Sequence, residues 1–273
     1  MFLFPFFFHL EFSTSDRNKN QKKTNSEYTK RIVNHQPLQS YGIIHYLGYV
    51  LYAPLYIAGP IVTFNCYSSQ LKSPTGFSLK EKYKLAAWTA FLIILVDVLL
   101  HYSCLYNISA NFLWEDWKNP IELGALGFFT LQFMYLKFLC FWRYFRCAAL
   151  FNEIEPIDNM TRCMHNSNTF SGFWRSWHAS FNKWTIRYLY SPLGGKKNQK
   201  YSIWLIFFFI GIWHDLWWSW IAWALLNCVF FTIELTIIQF WRKSKVSLSD
   251  SFLILFVTRS LILFLFLSFL FTF

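Results

Sequence analysis

Leu85–Tyr106 reads LAAWTAFLIILVDVLLHYSCLY, and this stretch decides the fold. It is a clean apolar run holding one acid, Asp97. About 20 such residues in a helix span the ~30 Å hydrocarbon layer of a bilayer. Similar runs lie further along: Ile121–Leu150, Leu216–Trp241 and Phe252–Phe273, with a shorter one at Tyr201–Trp213. Of the 273 residues 55% are hydrophobic and 14% charged, with 33 Phe and 14 Trp. Soluble domains carry about 25% charged residues. One core of this size could not hide so much apolar surface, whereas lipid can solvate the outer faces. The expected fold is all-α: a polytopic membrane helical bundle.

The net charge of +11 would suit nucleic acid in a soluble protein. Here the cations gather in short stretches between apolar runs, which fits topology control at an anionic membrane face. Nucleic acid is therefore not an expected partner; membrane lipids are. Residues 14–40, 65–84, 196–200 and 242–245 are basic, while 107–120 carries Glu115, Asp116 and Lys118.

Tyr41–Phe64, YGIIHYLGYVLYAPLYIAGPIVTF, contains Pro54 and Pro60 with Gly59 between them. Each proline removes a helical hydrogen bond, so this segment is expected to be broken and re-entrant. That choice also leaves every basic loop on the cytosolic side. Residues 1–40 read as an apolar stub, Met1–Phe12, followed by a solvated polar, basic loop.

Phe173–Tyr190 reads as one amphipathic helix lying in the membrane interface. At about 100° per residue, Phe173, Trp174, Trp177, Phe181, Trp184 and Tyr188 share a face. Arg175, His178 and Asn182, at i, i+3 and i+7, line one edge. That strip either binds a phosphate or polar substrate or contacts headgroups. Pro192-Leu-Gly-Gly195 ends the helix.

His214 closes the apolar run from Tyr201. Fourteen residues rise about 21 Å, which sets the imidazole inside the membrane profile. An ionisable group at that depth is a functional candidate. The alternatives are a histidine bonding between helices, or one at the far interface beside Trp217 and Trp218. Asp215 is adjacent but does not face it on a helix. Asp97 and Arg259 lie inside spans and are candidates to pair or line a cavity. Six cysteines occur without a C-x-x-C pair or zinc spacing, so neither a disulfide framework nor a metal site is expected.

Phe173-Trp-Arg-Ser-Trp-His178-Ala-Ser-Phe-Asn-Lys-Trp184, with Arg187-Tyr-Leu-Tyr-Ser-Pro-Leu-Gly-Gly195 and then Ile212-Trp213-His214-Asp215, resembles the membrane-bound O-acyltransferase signatures. Tyr52-Ala-Pro-Leu-Tyr-Ile-Ala-Gly-Pro60 through Asn65, together with Glu153-Ile-Glu-Pro156 and Asn159-Met-Thr-Arg-Cys163-Met164, resembles the glycerol-uptake-protein branch, related to Hedgehog acyltransferase. The resemblance runs from about Tyr41 to Trp241. It implies that 41–273 is an acyltransferase domain, N-terminally incomplete, since family members are commonly much longer. It also implies a helical bundle around a tunnel in the endoplasmic reticulum. Acyl-CoA would be donor and co-substrate, and the acceptor a lipid such as a glycosylphosphatidylinositol-anchor precursor.

The family's near-invariant histidine falls on His214 and its second site residue on His178, where Hedgehog acyltransferase has Asp. The chemistry is consistent. A neutral imidazole can take the proton of an attacking hydroxyl, and burial would keep His214 neutral. Trp174, Arg175, Asn182 and Trp213 are the expected substrate-binding residues. No cofactor beyond acyl-CoA is required. Cys163 stands fifteen residues before His178, a spacing that resembles that of a haem-ligating cysteine in the Hedgehog acyltransferase branch; the alternative is an inert connector thiol. Two other functions remain open: a transport-linked protein, or an inactive truncated relative acting as a scaffold. The absence of a repeat opposes the first, and the retention of both histidines opposes the second.

Overall fold

The computed structural model describes residues 27–244, apart from 75, 105–106, 109–110, 112–118, 164–166 and 168. Met1–Phe12, Phe252–Phe273 and Arg259 lie outside the described residues. The regular elements described are helical: α1 (Ile43–Val50), α2 (Ala53–Tyr56), α3 (Phe64–Lys72), α4 (Leu79–Ser103), α5 (Pro120–Phe151), α6 (Phe170–Ser176), α7 (Ala179–Thr185), α8 (Gln199–His214) and α9 (Trp218–Ser244). The all-α membrane bundle expected from the apolar runs is what forms.

Local chemistry sets the helix starts. Ser78 Oγ accepts the Glu81 amide at 3.3 Å, and the Glu81 carboxylate accepts the Ser78 amide at 3.0 Å. This reciprocal capping box satisfies two donors at the start of α4. Asn119 Oδ1 accepts the Ile121 amide at 3.0 Å, and Pro120 stands at the first position of α5, where its missing N–H costs nothing. Leu79–Ser103, Pro120–Phe151 and Trp218–Phe240 are long and apolar enough to cross a membrane. At 32 residues α5 is about 48 Å long, so one end stands clear of the hydrocarbon, as its Arg143 and Arg146 suggest.

Tyr41–Phe64 is interrupted, as its prolines predict. α1 and α2 are short, and residues 57–63 carry no helix. Backbone outside a helix needs other partners where water is excluded. Ser180 Oγ accepts the Ile61 amide at 2.9 Å, and Tyr49 Oη donates to the Val62 carbonyl at 2.7 Å. The chain folds back so closely here that a Cβ on Gly59 would lie 2.2 Å from the Pro54 carbonyl oxygen.

Two polar segments are more ordered than their composition suggests. Residues 27–33 are helical rather than a solvated loop, because Tyr28 is buried in a cluster with Val62, Cys66, Tyr67, Ala149 and Ile154. In the basic stretch 65–84, α3 buries Gln70, whose amide accepts the Glu155 N–H at 2.6 Å. The 153–159 connector is thereby clamped. Lys82 pairs with Glu153, and Arg146 Nε donates to the Pro156 carbonyl at 3.1 Å.

α8 and α9 form a hairpin. Its backbones approach so closely at Gly211 that an added Cβ would sit 3.0 Å from Ala224 Cβ and 3.2 Å from the Trp220 carbonyl oxygen. Gly211→Val is therefore expected to destabilise by about 1–3 kcal/mol through overpacking. The check is the thermal midpoint in detergent. Gly124→Val, at a position with nothing within 4 Å, serves as the near-neutral comparison.

Candidate functional site

The aromatic periodicity of 173–190 suggests one helix, but the structure breaks it at the histidine. α6 ends at Ser176, Trp177 is extended, and His178 adopts a left-handed backbone with φ 46° and ψ 53°. Such a backbone is uncommon outside glycine and costs on the order of 1–3 kcal/mol. α7 then runs to Thr185 and passes into a wider π turn, Ile186–Tyr190. The apolar face turns inward. Phe173 and Phe181 are buried, and Trp177 stacks on Phe173 at 5.6 Å.

The fully buried Asn159 makes the break possible. Its carbonyl oxygen accepts the Ala179 amide and its Oδ1 the Ser180 amide, each at 3.0 Å. Both are N–H groups that the start of α7 would otherwise leave without partners. The start of α6 is satisfied from further away. Thr169 Oγ1 accepts the Gly172 amide at 3.0 Å, and the two carboxylate oxygens of Glu234, buried on α9, accept the amides of Phe170 and Ser171 at 2.9 Å each.

These elements bring the two histidines together through a row of stacked rings. His178 lies on Trp142 at 4.6 Å and 20°, and on Phe181 at 5.2 Å. Phe181 stacks on Trp213 at 4.8 Å; Trp213 meets His214 edge-on at 5.0 Å; and His214 lies on Trp220 at 4.5 Å and 7°. Trp223 meets His214 edge-on at 5.7 Å. Face stacking leaves the ring nitrogens pointing outward along the edge. His178 sits in the connector between the spanning helices. Burial, and then the charge of the neighbouring His214, push it down to about 4, so it is neutral at physiological pH.

His214 stands at the very end of α8 and is exposed, beside exposed Trp213, Trp217 and Trp218. The helix stops at His214, where Asp215 turns extended. Among the readings left open, the place of His214 in the chain beside exposed Trp217 and Trp218 matches the interfacial one.

The break also divides the expected polar strip. Asn182 stays one turn from His178, its amide bonding to the His178 carbonyl oxygen at 3.0 Å. Arg175 is exposed on α6, within electrostatic range of Glu234. Trp174 meets Phe207 at 5.5 Å and Trp223 at 5.8 Å, both edge-on. Asp97 is exposed on α4. Cys163 rests on the apolar cluster around Trp142, Phe173 and Phe170. No disulfide joins the cysteines, and no metal-holding group of His, Cys, Asp or Glu occurs among the described residues.

Sequence reading missed Asn159 and Glu234 as site-builders. Glu234 gave a usable signal, since an acid within a long apolar run must find donors. Asn159, in a polar connector, gave none from composition.

The family model described as membrane-bound O-acyltransferase matches residues 5–273. The membrane-bound O-acyltransferase gup1 of Schizosaccharomyces pombe is 38% identical over 218 residues, 80% of this chain and 37% of that protein. GUP1 of Saccharomyces cerevisiae is 36% identical over 242 residues, 84% and 43% of the two chains. The protein-cysteine N-palmitoyltransferase HHAT of mouse is 27% identical over 202 residues, 69% and 39%. The chain thus spans about two-fifths of the length of these curated relatives.

Two outcomes are expected. The folded state binds a proton at His178 less readily than the unfolded chain, whose ordinary value is 6.5. The stability this confers is present above pH 6.5 and is lost as pH falls through 6.5 toward 4. His178→Asn, which tolerates the left-handed backbone, should reduce the difference in thermal midpoint between pH 7 and pH 5. Glu234→Gln should cost about 1–3 kcal/mol, because one α6 amide then faces an NH2 group instead of an acceptor; thermal unfolding in detergent measures it.

Proposed function

Because this chain belongs to the membrane-bound O-acyltransferase family, we propose that it transfers a long-chain acyl group from acyl-CoA to a hydroxyl of a membrane lipid, with His214 as general base. The observation that carries this reading is the row of rings joining the two motif histidines. It joins two distant parts of the sequence into one place, with an exposed, stacked imidazole at one end and a neutral one at the other.

The chemistry follows from that pair. A hydroxyl is a weak nucleophile at neutral pH. His214, its face held on Trp220, takes the hydroxyl proton as oxygen attacks the thioester carbonyl. Such help is worth typically about 10²–10⁴-fold. His178, neutral because its pKa lies near 4, has one N–H to donate. It donates to the carbonyl oxygen as negative charge gathers there. The tetrahedral intermediate then expels CoA as a thiolate, which takes the proton from His214. The ester and free CoA leave, and the imidazole is again neutral. Transfer is direct, because no Ser or Cys in either motif is placed as an activated nucleophile.

The exposed Trp213, Trp217 and Trp218 beside His214 suit a reactant arriving from the bilayer, since indoles favour the interface between hydrocarbon and water. The acceptor we assign is a lipid of the glycosylphosphatidylinositol-precursor class, and the compartment is the endoplasmic reticulum. Trp174, Arg175, Asn182 and Trp213 are the residues we assign to substrate binding.

The test is transfer of radiolabelled palmitate from palmitoyl-CoA to a lyso-lipid by purified protein in nanodiscs. His214→Ala is expected to lower kcat by about 10²–10⁴-fold, far more than the modest fall in thermal midpoint that loss of the His214–Trp220 stack brings. Equal rates in the two proteins would reject the role of His214, and an inert wild-type protein would reject the function.

A further inference from the structure

We infer that Asn159 is a positioning residue for His178, holding the imidazole in place through the chain break rather than touching the reactants. The inference rests on the acyl-transfer reading for its kinetic consequence, but not for its structural content.

The argument starts from the backbone. A left-handed, non-glycine residue between two helices relaxes readily into a continuing helix, because the right-handed conformation is lower in energy. A continued helix here would hydrogen-bond the amides of Ala179 and Ser180 to carbonyls of the preceding turn. Asn159 removes that option by accepting both amides itself, at 3.0 Å each. The Thr161 amide, in turn, donates to the Ser176 carbonyl at 3.3 Å, taking up an acceptor released at the end of α6. Residues 159–161 therefore supply on both sides of the break what helix continuation would have supplied.

The rotation of the histidine depends on this. With the break, His178 lies between Trp142 and Phe181 at 4.6 and 5.2 Å. Without it, the residue would follow α6, about 100° per position, and the ring would leave Trp142. Asn159 is itself immobile. It is 0% exposed, and its connector is anchored by Gln70, Lys82 and Arg146.

The amide nitrogen of Asn159 offers a clean control. Nδ2 is buried and has no hydrogen-bond partner. Replacing it with oxygen loses no bond, and Oδ1 still accepts from Ser180. Full burial favours the protonated, neutral acid, which keeps a carbonyl oxygen for the Ser180 amide. Asn159→Asp should therefore keep the break, whereas Asn159→Leu, of similar volume but without an acceptor, should not.

The experiment compares wild type, N159D, N159L and His178→Ala in nanodiscs. It measures kcat and KM for palmitoyl-CoA, and separately the rate of carbethoxylation of His178 by diethyl pyrocarbonate, read by mass spectrometry. N159L is expected to lose about 10–10²-fold in kcat, the scale of a misplaced catalytic group, with KM little changed and His178 modified faster. N159D is expected to stay within about threefold of wild type in both. An N159L protein with wild-type kcat and wild-type His178 reactivity would overturn the inference. So would equal losses in N159D and N159L that track a fall in thermal midpoint, since that pattern marks general destabilisation. If wild type transfers no acyl group, the function fails and the modification rates alone decide the role of Asn159.

Discussion

A chain surrounded by hydrocarbon can leave its helical path only where another group takes the freed backbone bonds. That constraint governs the architecture here. The breaks at 57–63 and at Trp177–His178 are two of the places where the described chain departs from its helices. Each is met by side chains on other elements: Tyr49 and Ser180 for the first, Asn159 for the second, and Glu234 for the start of α6 just before it. The site exists because these partners exist. A continuous helix through residue 178 would be cheaper locally and would aim the histidine elsewhere.

The second organising force is ring stacking. Neither site histidine is hydrogen-bonded through its ring among the described residues; both are oriented by faces of Trp and Phe. Each such pair contributes about 0.5–1.5 kcal/mol beyond burial, less than a good charged hydrogen bond. Several in sequence nevertheless fix the rings without consuming their nitrogens. An aromatic content of 23% thus orients the two motif imidazoles as well as filling space.

The spans were legible because crossing a bilayer writes itself into composition. α4, α5 and α9 lie where the apolar runs put them, with ends displaced by a few residues. The broken segment at Tyr41–Phe64 was legible from Pro54, Gly59 and Pro60. The histidine pair was legible through motif resemblance, since nothing in the spacing from His178 to His214 reveals that Phe181 and Trp213 will stack between them. The break at His178 was hidden. Phe173, Trp177, Phe181 and Trp184 keep helical periodicity across it, and its cause, Asn159, is remote in sequence. Tyr28 and Gln70 were hidden for the same reason: polar surroundings described their neighbours in the chain, while burial was decided by neighbours in space.

α9 has a consequence for how the site responds to its surroundings. Trp220, near its start, carries the His214 ring, and Glu234 holds the start of the helix that leads to His178. The two anchor points are about 21 Å apart along one rod. When a thicker or thinner bilayer tilts that rod, both attachments travel with it. Hydrophobic mismatch therefore acts on both supports at once, while Trp142 on α5 holds the His178 ring independently of that rod.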